Sequence, residues 1–218
     1  MNKKLTFQPF DPHQAVKIYK NGLPHWRQEG AIYFVTFRLA DSIPANILSA
    51  WEDDKRKWLR ANHGVEMEDL ERLPRDVRRA FEKEFGRQLN EYLGEGRGEC
   101  VFRRIECAQV VLERVIAFHG QRHDLGDLVI MPNHVHFLIT PYPGHKLEMI
   151  MKGIKGTSAR EINRKLGRKG KLWLKDSYDH IVRTSTHLRK YQEYIKANPD
   201  KARLPKDSCI LRSVEYET

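Results

Sequence analysis

The sequence predicts an α+β domain, a largely antiparallel sheet with helices on one face, ferredoxin-like, plus a helical insertion. Three observations carry that expectation. The run Ala31-Ile32-Tyr33-Phe34-Val35-Thr36-Phe37-Arg38-Leu39 is rich in aromatic and β-branched residues and reads as a strand apolar on both faces. The stretch Leu128 to Thr140 is apolar except at Pro132-Asn133, where Pro fixes φ for a tight turn and Asn tolerates the second turn position, so it reads as a hairpin. Between and after these strands, apolar residues recur at helical spacing.

Residues 1–30 read as an irregular N-terminal arm, with Leu23-Pro24-His25-Trp26 docking on the domain. Tyr33, Val35, Phe37 and Leu39 line one face of the first strand, and Ile32, Phe34, Thr36 and Arg38 the other. Residues 44–95 form the insertion: Pro44 opens a helix carrying Ile47, Leu48, Trp51, Trp58 and Leu59, and Pro74 opens a second through Val77, Phe81, Phe85, Leu89 and Tyr92. Cys107, Val110, Val111, Arg114, Val115 and Phe118 mark a three-turn helix that Gly120 stops. The hairpin follows from near Asp124. Leu147, Ile150, Met151, Ile154, Ser158 and Ile162 mark the next helix, Leu172-Trp173-Leu174 and Tyr178 to Arg183 are short extended segments, and Thr184-Ser185-Thr186 supplies N-cap chemistry for a last helix that Pro199 ends. The main domain is expected over residues 31–205, with a polar C-terminal tail over 206–218.

Net charge is +10, and +9 of it falls between His145 and Lys190, where thirteen Lys/Arg face four acids. That concentration argues for a polyanionic partner, nucleic acid first, and against a small-molecule hydrolase. No apolar run is long enough for a transmembrane helix, the first residues lack a signal peptide's apolar core, and three cysteines fit neither a zinc pattern nor a disulfide framework. A cytoplasmic protein with no membrane partner is expected; that it is bacterial and nucleoid-associated is implied only by the family resemblance of the motifs below.

Within the hairpin, His134 and His136 share one strand face, about 7 Å apart at the backbone, while Val135, Phe137 and Ile139 take the other. On the last helix Leu188, Tyr191 and Ile195 form an apolar stripe, with Tyr194 at its edge and Asn198 one turn further on. His134-Val135-His136 resembles the histidine–hydrophobic–histidine motif of single-strand DNA transposases and relaxases. Tyr194-Ile195-Lys196-Ala197-Asn198-Pro199 resembles the tyrosine motif of REP-associated tyrosine transposases. Leu23-Pro24-His25-Trp26, Tyr33 to Arg38, Lys155 to Ala159, and Trp173 with Tyr178 to Arg183 match the same family, so the resemblance runs from about residue 20 to 205.

The resemblance implies that His134, His136 and Asn198 bind Mg²⁺ or Mn²⁺ and that Tyr194 attacks a phosphorus of single-stranded DNA. The products would be a 5′-phosphotyrosine and a free 3′-OH, and rejoining would need no ATP. The implied substrates are hairpins of the repetitive extragenic palindromes (REP or BIME type), with Lys152, Lys155, Arg160, Arg164 and Arg183 the candidates for DNA-backbone contacts. A monomer is favoured over the homodimer of insertion-sequence relatives. The sequence departs from the family pattern at Leu174, where a glutamine is common, and at Asn198, where insertion-sequence relatives use glutamine. Tyr191 is a second candidate nucleophile, with a core role favoured by its helix face; Tyr178, His180 and His187 are read as structural or merely exposed. The reading from a different class is a non-catalytic ferredoxin-like module that binds single-stranded nucleic acid.

Overall fold

A computed structural model describes residues 5, 6, 8, 10, 11, 13–15, 17–21, 23–175, 177–205 and 208–217; at 17–21, 23–26, 71, 75, 90 and 217 it describes the backbone only. In chain order the elements are β1 (Leu5–Thr6), β2 (Lys17–Asn21), β3 (Leu23–Arg27), β4 (Tyr33–Arg38), α1 (Ala45–His63), α2 (Arg75–Gly94), α3 (Ile105–Ile116), β5 (His123–Ile130), β6 (His134–Pro141), α4 (Leu147–Lys165), β7 (Tyr178–Ile181), α5 (Ser185–Lys201), β8 (Ile210–Arg212) and β9 (Tyr216–Glu217). Among the described residues no helix is long and apolar enough to cross a membrane.

The alternation read in the sequence decides the sheet. Strands β7-β4-β6-β5-β8 lie side by side, all antiparallel. With α3 between β4 and β5, and α4 between β6 and β7, the four strands β4 to β7 have the split βαββαβ connectivity of a ferredoxin-like domain. Tyr33, Val35, Phe37, Val135, Phe137 and Ile139 point to one face, where Val111 and Val115 of α3 and Met151, Ile154 and Ile162 of α4 complete a core. Trp173 fills the end of this core, 4.5 Å from Phe37 and 5.2 Å from Phe102 between ring centroids, and its Nε1 donates to Ser158 Oγ at 3.0 Å. The predicted placement of helices on one face holds for α3 and α4. Helix α5 takes the other face, where Leu188 and Ile195 pack on Ile32, Phe34, Val129 and Leu138. Its apolar stripe needs a surface, and the first face is already full.

The N-terminal segment is not irregular. Strands β2 and β3 pair antiparallel from Lys17↔Arg27 to Asn21↔Leu23, and β1 pairs in parallel with β9. Asn21-Gly22 is a hairpin-turn dipeptide, a local signal outweighed in the sequence by the short, polar flanks. The docking expected of Leu23-Pro24-His25-Trp26 rests on side chains outside the described ones. Arg27 fastens β3: it forms two bonds to Asp179 on β7, at 2.6 and 3.0 Å, and one to Glu148 on α4 at 2.5 Å. The segment read as a polar tail contributes β8, paired with β5, and β9. Pro199 does not end α5; it lies inside the helix, which runs to Lys201. A proline in the last turn forfeits only its own N–H bond, and Ala202 N still reaches Asn198 O at 3.1 Å.

Residues Asp41–Glu99 form a compact unit distinct from the rest of the chain. Helix α1 ends at Gly64 in the left-handed region, φ 63°. Trp58 of α1 meets Phe81 and Phe85 of α2 at 5.6 and 6.3 Å between ring centroids. The unit holds eleven Lys/Arg against fourteen Asp/Glu, so the basic surplus belongs entirely to the other unit.

One irregularity shapes the β5–β6 pair. Leu125 lies opposite Ile139 and Leu128 opposite Phe137, so Gly126 and Asp127 face a single partner in a β-bulge that resets the alternation. A Cβ on Gly126 would collide with the Tyr216 hydroxyl and come within 2.9 Å of Leu138 Cβ. Gly126→Ala is therefore expected to lower stability by about 1–3 kcal/mol in urea unfolding. Adding Tyr216→Phe recovers only part of the loss, because the Leu138 contact remains.

Candidate active site

The strand period puts Phe34, Thr36 and Arg38 of β4 on the same face as His134 and His136 of β6. Register sets Thr36 beside His136 and Arg38 beside His134. The imidazoles were expected to look out from the sheet. They do leave the main core, but α5 covers them, and they are 2% and 0% exposed.

Each ring is fixed through Nδ1. His136 Nδ1 pairs with Thr36 Oγ1 at 2.7 Å, and His134 Nδ1 with Asn133 Oδ1 at 2.7 Å. The Asn133 amide oxygen can only accept, so His134 carries its proton on Nδ1 and presents a lone pair at Nε2. Thr36 allows the same tautomer for His136. The rings lie 4.7 Å apart, centroid to centroid. Burial is the main force on their titration: it holds His134 at about 3, with the Arg38 charge adding to the effect and Asn198 opposing it, and it holds His136 well below 6.5.

Helix α5 supplies the other half. Thr184 Oγ1 caps its start, accepting from His187 N at 3.1 Å. Gln192 Nε2 donates to Asp127 Oδ2 at 3.0 Å, pinning the helix to the bulge of β5. Tyr194 then reaches His136, its hydroxyl 3.4 Å from Nε2. Asn198 Nδ2 donates to the Tyr194 carbonyl one turn earlier at 3.0 Å. Asn198 is also close enough to influence how His134 and the Tyr194 phenol titrate. Burial raises the Tyr194 phenol above its ordinary value, and Asn198 offsets part of that rise. Tyr191 instead stacks flat on Phe34 at 4.3 Å between centroids, a packing position.

The residues that converge are thus His134, His136, Tyr194 and Asn198. Two Nε2 lone pairs and one amide oxygen fit a divalent cation, and all three donors are neutral. Among the described residues no group of three or more His, Cys, Asp or Glu is placed to hold a metal.

The basic candidates lie elsewhere. Helix α4 packs on the opposite face of the sheet, with Lys152, Arg160 and Arg164 exposed. Lys155 donates to Lys175 O at 2.7 Å and Ser177 Oγ at 3.3 Å, tying α4 to the segment before β7. Arg183 is half-buried with its guanidinium 5.8 Å from the Phe10 ring. A groove of about 600 Å³ runs between α4 and residues 170–179, lined by Lys152, Lys155, Lys171 and Lys175. Sequence reasoning passed over Thr36, Asn133 and Asp127. Thr36 shares its strand face with Phe34, but only the register shows which histidine it meets.

The class defined here is a ferredoxin-like domain whose buried histidine pair faces a tyrosine and an amide on a covering helix. Residues 109–198 match the family model described as Transposase IS200 like, a span that holds His134, His136, Tyr194 and Asn198. Over that span the chain is similar to the IS200-like transposases. Among solved structures, a REP-associated tyrosine transposase bound to a REP hairpin is 14% identical, with a TM-score of 0.45 over 85% of this chain and 78% of that one. A candidate transposase from Deinococcus radiodurans R1 is 13% identical, with a TM-score of 0.33 over 88% and 98%. No curated protein matches the chain.

Buried neutral histidines make the metal-free protein acid-sensitive. The unfolded chain takes up protons as pH falls below 6.5, while the folded His134 resists until about 3. Stability is therefore expected to be full above pH 6.5 and to fall steadily below it. In urea unfolding, His134→Gln with His136→Gln should flatten the profile between pH 6.5 and about 5.

Proposed function

We propose that this protein is a transposase that cleaves and rejoins single-stranded DNA at hairpin repeats of the REP type, through a 5′-phosphotyrosine on Tyr194. The observation that carries this reading is the Tyr194 hydroxyl 3.4 Å from His136 Nε2, with Asn198 one turn further along the same helix and bonded to the Tyr194 carbonyl. A stacked structural tyrosine has no need of that company. The catalytic domain is taken as residues 31–205 without the insertion at 44–95, acting as a monomer in the bacterial cytoplasm.

His134, His136 and Asn198 would hold Mg²⁺ or Mn²⁺. The ion supplies Lewis-acid polarisation of the scissile phosphate. The chain's own residues do the rest. Asn133 keeps His134 Nε2 unprotonated, and Thr36 allows the same at His136. The three neutral donors leave a bound cation's charge uncancelled, which favours an anionic phosphate beside it. Tyr194 Oη bonds to phosphorus, the bond from phosphorus to the 3′-oxygen breaks, the phenol proton leaves to water, and the departing 3′-oxygen takes up a proton. Reversal of the same step rejoins the strand.

Lys152, Arg160 and Arg164 on α4, with Lys155 in the adjoining groove and Arg183 after β7, would hold the DNA backbone. Because α4 backs the sheet and its groove opens beside Ser177 and Asp179, a strand held there passes the β7 edge to reach Tyr194. The REP-hairpin complex of the similar solved structure is in keeping with that substrate.

The test is incubation of labelled single-stranded repeat hairpins with Mn²⁺, read on a denaturing protein gel. A covalent adduct is expected from the native chain and from none of Tyr194→Phe, His136→Ala or metal-free samples. An adduct that survives Tyr194→Phe would move the nucleophile, Tyr191 first. Tight binding without any adduct would favour a binding module.

A further inference from the structure

Arg38 is a permanent cation placed where a metal-binding reading alone does not want one. It ends β4 on the face shared by Thr36 and the two histidines, directly beside His134 in the β4–β6 register, and is 6% exposed. A guanidinium at this range repels a divalent ion held by His134 and weakens the site for metal. The two cations become compatible when an anion lies between them and is shared by both. A phosphodiester is such an anion: it offers two non-bridging oxygens, one for each cation, and guanidinium geometry suits it.

There is also a path for it. Strand β7 is the edge of the sheet on the β4 side. Tyr178 lies opposite Thr36 and His180 opposite Phe34 in the β4–β7 register, so both are on the active-site face; they bond to each other and are half-buried. An aromatic ring and an imidazole thus line the way from the β7 edge to Arg38, on the route that a strand held by α4 would take.

Building on the transposase chemistry proposed above, we propose that Arg38 is a catalytic residue: its guanidinium binds a non-bridging oxygen of the scissile phosphate and stabilises the charge that accumulates there as Tyr194 attacks.

The experiment compares the native chain with Arg38→Met, which keeps the stem and removes the charge, and Arg38→Lys, which restores a charge without the fork. Adduct formation is timed on the repeat hairpin and on the same hairpin with a methylphosphonate at the scissile position. Mn²⁺ binding is measured on each protein alone, and circular dichroism checks folding. Arg38→Met should slow the adduct about 100-fold on the natural phosphate, with Mn²⁺ binding equal to or tighter than native and Arg38→Lys intermediate. On the methylphosphonate, which lacks one charged oxygen, the gap between native and Arg38→Met should close to a few-fold. The inference is overturned if Arg38→Met reacts at the native rate, if the 100-fold gap persists on the methylphosphonate, or if folding or Mn²⁺ binding is lost in Arg38→Met and Arg38→Lys alike. No adduct from the native chain would remove the transposase chemistry itself and this inference with it; a native adduct with Arg38→Met unimpaired removes this inference alone.

Discussion

Two imidazoles kept out of water between a sheet and a helix set the terms for the rest of this domain. A buried histidine is costly if charged and costly if its N–H finds no acceptor. The structure meets both conditions with Thr36 and Asn133, which engage the two Nδ1 atoms and leave the two Nε2 atoms side by side. Everything that covers those nitrogens comes from α5. The sheet therefore has to keep one face free of α3 and α4, and the chain has to return late to close it.

That return is held at several points. Leu188 and Ile195 seat α5 on Phe34, Val129 and Leu138. Gln192 reaches the buried Asp127, which the β5 bulge turns out of the regular alternation. Burial raises the Asp127 carboxyl above its usual range, with the Gln192 bond opposing the shift. A polar anchor inside an apolar interface is weak glue, but it is directional, and it fixes which turn of α5 stands over the histidines. Tyr194 and Asn198 then fall on the site together because they are one turn apart. The arrangement separates features by sheet face: the histidine–tyrosine cluster under α5, positive charge on α4 behind, and the acidic-leaning insertion of Asp41–Glu99 folded by itself.

Much of this was legible in the residues. Period-2 alternation assigned both faces of β4 and β6, and every apolar residue of those strands lies where the alternation puts it, because a single slip would expose a whole row. The helices showed through their apolar stripes. That His134 and His136 share a strand face and that Tyr194 and Asn198 share a helix face followed from spacing, since each pair is local: two residues apart on a strand, four apart on a helix; that the two pairs meet was implied by the family resemblance. The β2–β3 hairpin, the run of α5 through Pro199 and the strands near the C-terminus were not legible. Short strands bury too little of their own to leave a pattern, and they exist only because a partner edge is there to pair with.

The sequence by itself determined the main helices and central strands, the side of each of those strands that turns inward, and the pairing of His134 with His136 and of Tyr194 with Asn198, because those depend on neighbours within a few positions. Only the tertiary structure decided that α5 crosses the sheet face opposite α4, that Thr36 meets His136 and Arg38 meets His134, and that the histidines are sealed from water. Those are matters of register and layer. They are set by which apolar surface remains uncovered once the first core is filled, and no local pattern along the chain records that.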